Sequence, residues 1–158
     1  MTTIIEHAAL ELTNLCNLEC THCYASSGPR EKLTRHMSIE RWLEVISELG
    51  EMGCKSLQFI GGEPTAHPGL PKLLRAAVEA GINQIQVYTN GFSVSKKLMN
   101  LFASENVDMA FSIYGPDGLS HDEMTTVPGS FEKTSGTCLL YTSPSPRDLS
   151  TSRMPSSA

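Results

Sequence analysis

The feature that most constrains this chain is a repeated alternation of short strand-like runs with amphipathic helical runs. Ser56 to Ile60 reads as a strand, followed by Gly61-Gly62-Glu63-Pro64 and a helix with Leu70, Leu73, Leu74, Ala77 and Val78 on one face and Gly81 at its end. The unit recurs: Gln84 to Thr89 reads as a strand, Ser95 to Glu105 as a helix burying Leu98, Leu101 and Phe102, and Asp108 to Tyr114 as a further strand. Upstream, Ser38 is placed to cap a helix in which Ile39, Trp42, Leu43, Ile46 and Leu49 share a face, with Gly50 and Gly53 available to end it. Ala9 to Thr13 forms a short strand-like run with no clear partner nearby. Such alternation predicts an α/β fold with a parallel sheet flanked by helices.

Each strand run ends in residues suited to chemistry: Cys16, Gly61-Gly62-Glu63, Thr89-Asn90-Gly91 and Ser112. Barrel-like α/β folds place their sites at the carboxyl ends of the strands, so these four groups are expected to line one rim.

Five cysteines are present, three of them within eight residues, which in a reducing compartment points to metal binding or catalysis rather than a disulfide framework. Cys16, Cys20 and Cys23 are spaced C-x3-C-x2-C, and their thiolates are soft ligands that select iron-sulfur clusters or zinc. Three ligands leave a fourth position open. On a cubane cluster an amine-carboxylate molecule can chelate that position, whereas for structural zinc it is a defect. Spacing alone leaves both open, the zinc reading being completed by His22, His36 or Cys54. Gly61 and Gly62 allow backbone to approach a ligand closely, and Glu63 offers an anionic acceptor for an ammonium group.

Plainer readings stand beside these. Cys54 reads as a small core residue, His7, His36 and His67 as surface or loop residues, and Trp42, Phe59 and Phe102 as core. Glu63 also reads as a helix-entry residue next to Pro64. The net charge of -5, without long runs of one sign, gives no footprint for nucleic acid or an anionic membrane. No apolar stretch reaches the length of a membrane span and the amino terminus lacks a secretory pattern, so a cytoplasmic protein is expected.

The C-x3-C-x2-C loop directly after a strand, with His22 before the third cysteine and Tyr24 after it, resembles the radical S-adenosylmethionine (SAM) signature. Gly61 to Pro64 (GGEP) resembles that superfamily's SAM amino-group motif. The resemblance implies a partial (β/α)6 TIM-like barrel, of which about four strand units are visible, with Cys16, Cys20 and Cys23 holding a 4Fe-4S cluster. It implies that His22, Tyr24, Gly61, Gly62, Glu63 and Pro64 serve the cofactors. Thr89, Asn90 and Ser112 would contact the SAM ribose or methionine carboxylate, although polar residues at strand ends commonly just cap turns.

The implied chemistry is electron transfer from the cluster into the SAM sulfonium, giving methionine and a 5′-deoxyadenosyl radical that abstracts a substrate hydrogen, with flavodoxin or ferredoxin as electron donor. His121-Asp122 followed by Gly129-Ser130-Phe131 resembles a segment of radical SAM/SPASM peptide maturases, implying a ribosomally made peptide as substrate. The alternatives are a small-molecule substrate in cofactor biosynthesis, or a non-enzymatic zinc or iron-sulfur module.

From Cys138 onward the periodicity stops, and nine of the last 21 residues are Ser or Pro, a composition expected to build no packed strand or helix. Cys138 to Asp148 reads as the frame translation of a transposase-type sequencing-library adaptor, and Ser152 to Ala158 as its far end, with Leu149 to Thr151 in the place of the index. Residues 1–137 are therefore expected to be a partial radical SAM core, and 138–158 a non-native tail. The last barrel units and any Cys-rich C-terminal domain with auxiliary clusters would be missing, leaving an unpaired sheet edge.

Overall fold

A computed structural model describes residues 5–32 and 37–142 of the chain. Four strands form one parallel sheet in sequential order: β1 (His7–Glu11), β2 (Ser56–Ile60), β3 (Gln84–Thr89) and β4 (Asp108–Phe111). The register pairs His7 with Ser56, Gln58 with Gln86, and Tyr88 with Ala110. Side chains alternate across a strand, so Leu57, Phe59, Ile85 and Val87 all fall on one face, where they are buried. They join Trp42, Ile46 and Leu49 of α1 (Ile39–Glu51), Leu70, Leu73, Leu74 and Ala77 of α2 (Leu70–Glu79), and Leu98 and Phe102 of α3 (Lys96–Ser104) in one core.

The helices begin where their capping residues place them. Ser38 Oγ accepts from Arg41 N at 3.2 Å, and Ser95 Oγ accepts from Leu98 N at 3.2 Å. Cys54 lies in the core, its thiol 3.3 Å from the Ser56 carbonyl at the start of β2. The structure thus supports its reading as a small core residue and keeps it away from the strand ends.

Several expectations are corrected. The first strand is His7–Glu11 and pairs along its whole length with β2; the Leu12 N–H then bonds the Ile60 carbonyl at 3.0 Å. β4 ends at Phe111, short of Tyr114, because the chain turns away after the Ser112 N–H bonds the Thr89 carbonyl at 3.1 Å. Val78 is 39% exposed: the buried stripe of α2 runs through Leu70, Leu73, Leu74 and Ala77, and the next position rotates to its edge. His67 keeps its expected place in a loop, between Pro64–Ala66 and α2, but is buried there, its Nδ1 accepting from Gly69 N at 3.2 Å.

Two helices, α4 (Gly118–Thr125) and α5 (Ser130–Thr142), follow β4. The second runs through Thr137 into the segment expected to build no helix. Leu139, Leu140 and Tyr141 continue its backbone pattern, and the Tyr141 hydroxyl donates to the Val107 carbonyl. His36 and residues 143–158 lie outside the described residues.

The contact between α1 and α2 is close enough to be tested. A Cβ added at Gly50 would stand 2.7 Å from the Ala80 carbonyl oxygen and 2.8 Å from the Ala80 Cβ. Gly50→Ala gains about 1 kcal/mol in helix propensity and loses about 1–3 kcal/mol to overpacking against backbone that cannot rotate away. The expected outcome is a net loss, read as a lower midpoint in urea unfolding.

Candidate functional site

The loop after β1 is held by the ends of its neighbours. The Gly62 N–H bonds the Thr13 carbonyl at 2.5 Å, and the Glu63 N–H bonds the Leu15 carbonyl at 2.9 Å. Gly61 has φ of 133°, and a Cβ there would stand 2.5 Å from the Thr13 carbonyl oxygen; one at Gly62 would stand 2.5 Å from the Leu15 carbonyl oxygen. The close approach that these two glycines permit is therefore made first by the chain's own backbone. The loop then closes on itself, with the Cys16 N–H bonding the Gly28 carbonyl at 3.1 Å and the Gly28 N–H bonding the Asn14 carbonyl at 3.2 Å.

One cavity of about 380 Å³ opens at the carboxyl ends of the strands. Cys16, Cys20 and Cys23 line it together with His22, Tyr24, Gly61, Gly62, Thr89, Asn90 and Ser112, so all four strand-end groups reach one rim, but Glu63 and Gly91 are buried and do not line it. Pro64 starts a short 3-10 turn, Pro64–Ala66, just behind it. A larger cavity of about 630 Å³ lies between α2 and α3, lined by Pro68, Pro71 and Arg75 among others, and none of the rim residues reaches it.

Backbone and side-chain N–H groups already point at the sulfurs. Cys16 Sγ accepts from Leu18 N and from Asn90 Nδ2, both at 3.5 Å, and Cys23 Sγ accepts from Ser27 N at 3.4 Å. Burial raises the pKa of the Cys16 thiol against these bonds. Cys20 is pushed up to about 11, first by burial and then by the neighbouring Cys16 and Cys23. Thiols gathered on one loop, two of them receiving N–H donors and two of them held protonated by burial, fit a cationic centre, which would invert that electrostatic balance. Among the described residues no three Cys, His, Asp or Glu side chains are gathered closely enough to hold a single metal ion.

Glu63 is 1% exposed. Its Oε1 accepts from Thr65 N (3.0 Å), Thr65 Oγ1 (2.6 Å) and Thr89 Oγ1 (2.8 Å), and its Oε2 from Asn90 N (2.8 Å). Burial raises its pKa, and these donors oppose the shift. Asn90 in turn donates from Nδ2 to Asn17 Oδ1 at 2.7 Å and accepts at Oδ1 from Phe92 N at 2.9 Å. His22 stacks edge-on against Tyr114 at 4.5 Å between ring centres, while Tyr24 stands 79% exposed at the mouth.

Tyr114, Asn17 and Thr65 were not singled out from the sequence. Tyr114 sits two residues beyond Ser112, and that strand-like parity was the one available signal for it. Asn17 and Thr65 are neighbours of singled-out residues and carry no signal of their own. On the far side of Tyr114, His121 accepts from Tyr114 N at 3.1 Å and packs against Phe131, which links the rim to α4 and α5.

Comparison with known proteins accords with this arrangement. The chain is 32% identical over 95 residues to GTP 3′,8-cyclase of Chlorobaculum tepidum, covering 60% of this chain and 28% of that protein. It is 33% identical to the sporulation killing factor maturation protein SkfB of Bacillus subtilis, covering 81% of this chain and 30% of that one. It thus spans under a third of the length of these relatives. The fold matches Streptococcus suis SuiB bound to S-adenosylmethionine with a TM-score of 0.74 at 18% identity, over 88% of this chain and 32% of SuiB; for SuiB bound to its precursor peptide SuiA the score is 0.75. The model of the Radical SAM superfamily matches residues 10–136, and the chain belongs to that superfamily.

Proposed function

We propose that this chain is the cluster- and SAM-binding portion of a radical SAM enzyme that modifies a ribosomally made peptide. The observation that carries the reading is the convergence of Cys16, Cys20, Cys23, Gly61, Gly62, Thr89, Asn90 and Ser112 on one cavity at the strand ends of a chain in this superfamily. Cys16, Cys20 and Cys23 would hold a 4Fe-4S cluster, leaving one iron open to SAM. When bound, the pair would supply the radical chemistry that activates a substrate C–H bond.

The chain's own residues then have distinct tasks. The Leu18 and Ser27 N–H groups and the Asn90 amide stabilise thiolate charge on Cys16 and Cys23. Glu63 Oε2, which takes one donor where Oε1 takes three, is the oxygen with acceptor capacity left for the SAM ammonium. Thr89, Asn90 and Ser112 present polar groups to the SAM ribose or carboxylate. His22, held by the Tyr114 ring, and Tyr24 flank the mouth where an adenine would stack. An electron donor such as flavodoxin or ferredoxin belongs to the same reading, in a cytoplasmic setting that keeps the thiols reduced.

SkfB and SuiB support the peptide substrate, because a maturation protein and a complex with a precursor peptide are what their names describe. The similarity to GTP 3′,8-cyclase favours the second reading, a small molecule. The proposal further divides the chain into a native part, 1–137, and an adaptor-derived part, 138–158. Its support is that Leu139 and Leu140 stand 65% and 72% exposed, although α5 turns toward the core at Tyr141.

Three outcomes are expected. Anaerobic reconstitution with iron and sulfide gives brown protein whose reduced EPR signal changes on adding SAM, and Cys20→Ala loses the cluster. Colourless protein carrying one zinc would sink the reading. Glu63→Gln sets an amide N–H against the Asn90 N–H in place of Oε2, so stability should drop by about 1–3 kcal/mol in urea unfolding and SAM affinity should fall with it. Resequencing the source DNA across the Thr137 codon, from a library made without transposase adaptors, should give different codons from position 138.

A further inference from the structure

The face of the sheet turned away from the helices is polar at its centre. Gln58 Nε2 donates to Gln86 Oε1 and to the Tyr88 hydroxyl, each at 3.2 Å, across β2 and β3. Gln58 and Tyr88 line the cavity that holds the three cysteines, and Tyr88 is 42% exposed there. Both donors of Gln58 are spent within the set. What the set has left to offer the cavity is an acceptor, Gln58 Oε1, together with the donor of the Tyr88 hydroxyl. An acceptor beside a donor is the complement of a peptide group or a carboxamide.

The charges around the set point the same way. Among the described residues no Lys or Arg lines the cavity. The ionisable residues that share this sheet face, by register, are His7, Glu11 and Asp108. Glu11 acts electrostatically on Tyr24 at the mouth. A nucleoside triphosphate or a polycarboxylate entering here would meet neutral amides and acidic groups, with no cation to replace its hydration.

We propose that Gln58 and Tyr88, with Gln58 held by Gln86, form the substrate-side floor of the cavity and select an uncharged, amide-bearing segment of substrate over a polyanion. This rests on the peptide reading above and names the recognition surface for it. Gln58 and Tyr88 are specificity-determining and Gln86 is a positioning residue that orients Gln58; none of the three holds the cysteines or the residues assigned to SAM.

The test uses the full chain, reconstituted and SAM-loaded, with a fluorescein-tagged, end-blocked peptide of Ala, Ser and Asn as probe. Binding is read by fluorescence anisotropy, with GTP as competitor. The expected result is saturable binding that GTP does not displace. Gln58→Leu, Gln86→Leu and Tyr88→Phe should each weaken it about 3- to 10-fold, the effect of one lost hydrogen bond. Each variant should keep the wild-type circular dichroism and the SAM-induced EPR change.

Equal affinity of the Gln58→Leu/Gln86→Leu double variant and the wild type would overturn the floor while leaving the peptide reading standing. Absence of peptide binding would also overturn the floor. Tighter binding of GTP, lost in the same variants, would overturn both. A wild-type EPR signal indifferent to SAM would instead bring down the radical SAM assignment on which the inference stands.

Discussion

The buried carboxylate of Glu63 organises the rim. At 1% exposure its charged form would be costly if unpaired. Four donors from Thr65, Thr89 and Asn90 offset that cost and in doing so fasten the end of β2 to the end of β3. Asn90, fixed through its backbone by Glu63, reaches with its side chain to Asn17 and to Cys16 Sγ. The Glu63 backbone N–H holds Leu15, and the Gly62 N–H holds Thr13. One residue therefore couples two strands to the loop that carries the thiols. The loop's position follows from the sheet, and not from its own sequence alone.

The same coupling explains why glycine occupies both Gly61 and Gly62. The backbone of Thr13 to Leu15 crosses directly above them, and any side chain would drive it away. Separation of the β1 loop from the β2 end would release Cys16 from Asn90 and remove an N–H donor from its sulfur. A cluster held by thiolates depends on such donors for the stability of its charge, so under the proposed function the two glycines would act on the metal chemistry through the fold.

Much of this was legible in the sequence, for identifiable reasons. β2 and β3 fall where the alternation placed them because one face packs on helices and the other does not. The rim assembled as expected because parallel strands bring their carboxyl ends together whatever lies between them. The helices α4 and α5 were invisible because their order does not come from an apolar stripe: they bury His121, Thr125, Ser130 and Thr134. The start of α5 is capped from α4, where Asp122 accepts from Gly129 N, Ser130 Oγ and Phe131 N. A cap supplied by the preceding helix leaves no hydrophobic periodicity, although His121-Asp122 and Gly129-Ser130-Phe131, which build it, were noticed as a segment. The Asn17 and Tyr114 contacts were hidden for the same reason, each being made across elements distant in sequence.

The alternation in β2 and β3 carries a last consequence. Parallel strands covered on both faces read as continuous apolar runs, yet Ser56, Gln58, Gln84 and Gln86 interrupt these strands at every second position. A sheet that stacked helices on both faces would leave those amides buried and short of partners. The pattern is instead that of a sheet with a dry outer face and a wet inner one, the section of a barrel whose lumen is a workspace. With the thiols at the rim of that lumen and amides on its wall, the parity of the strands already separates residues that hold the fold from residues that face the cavity.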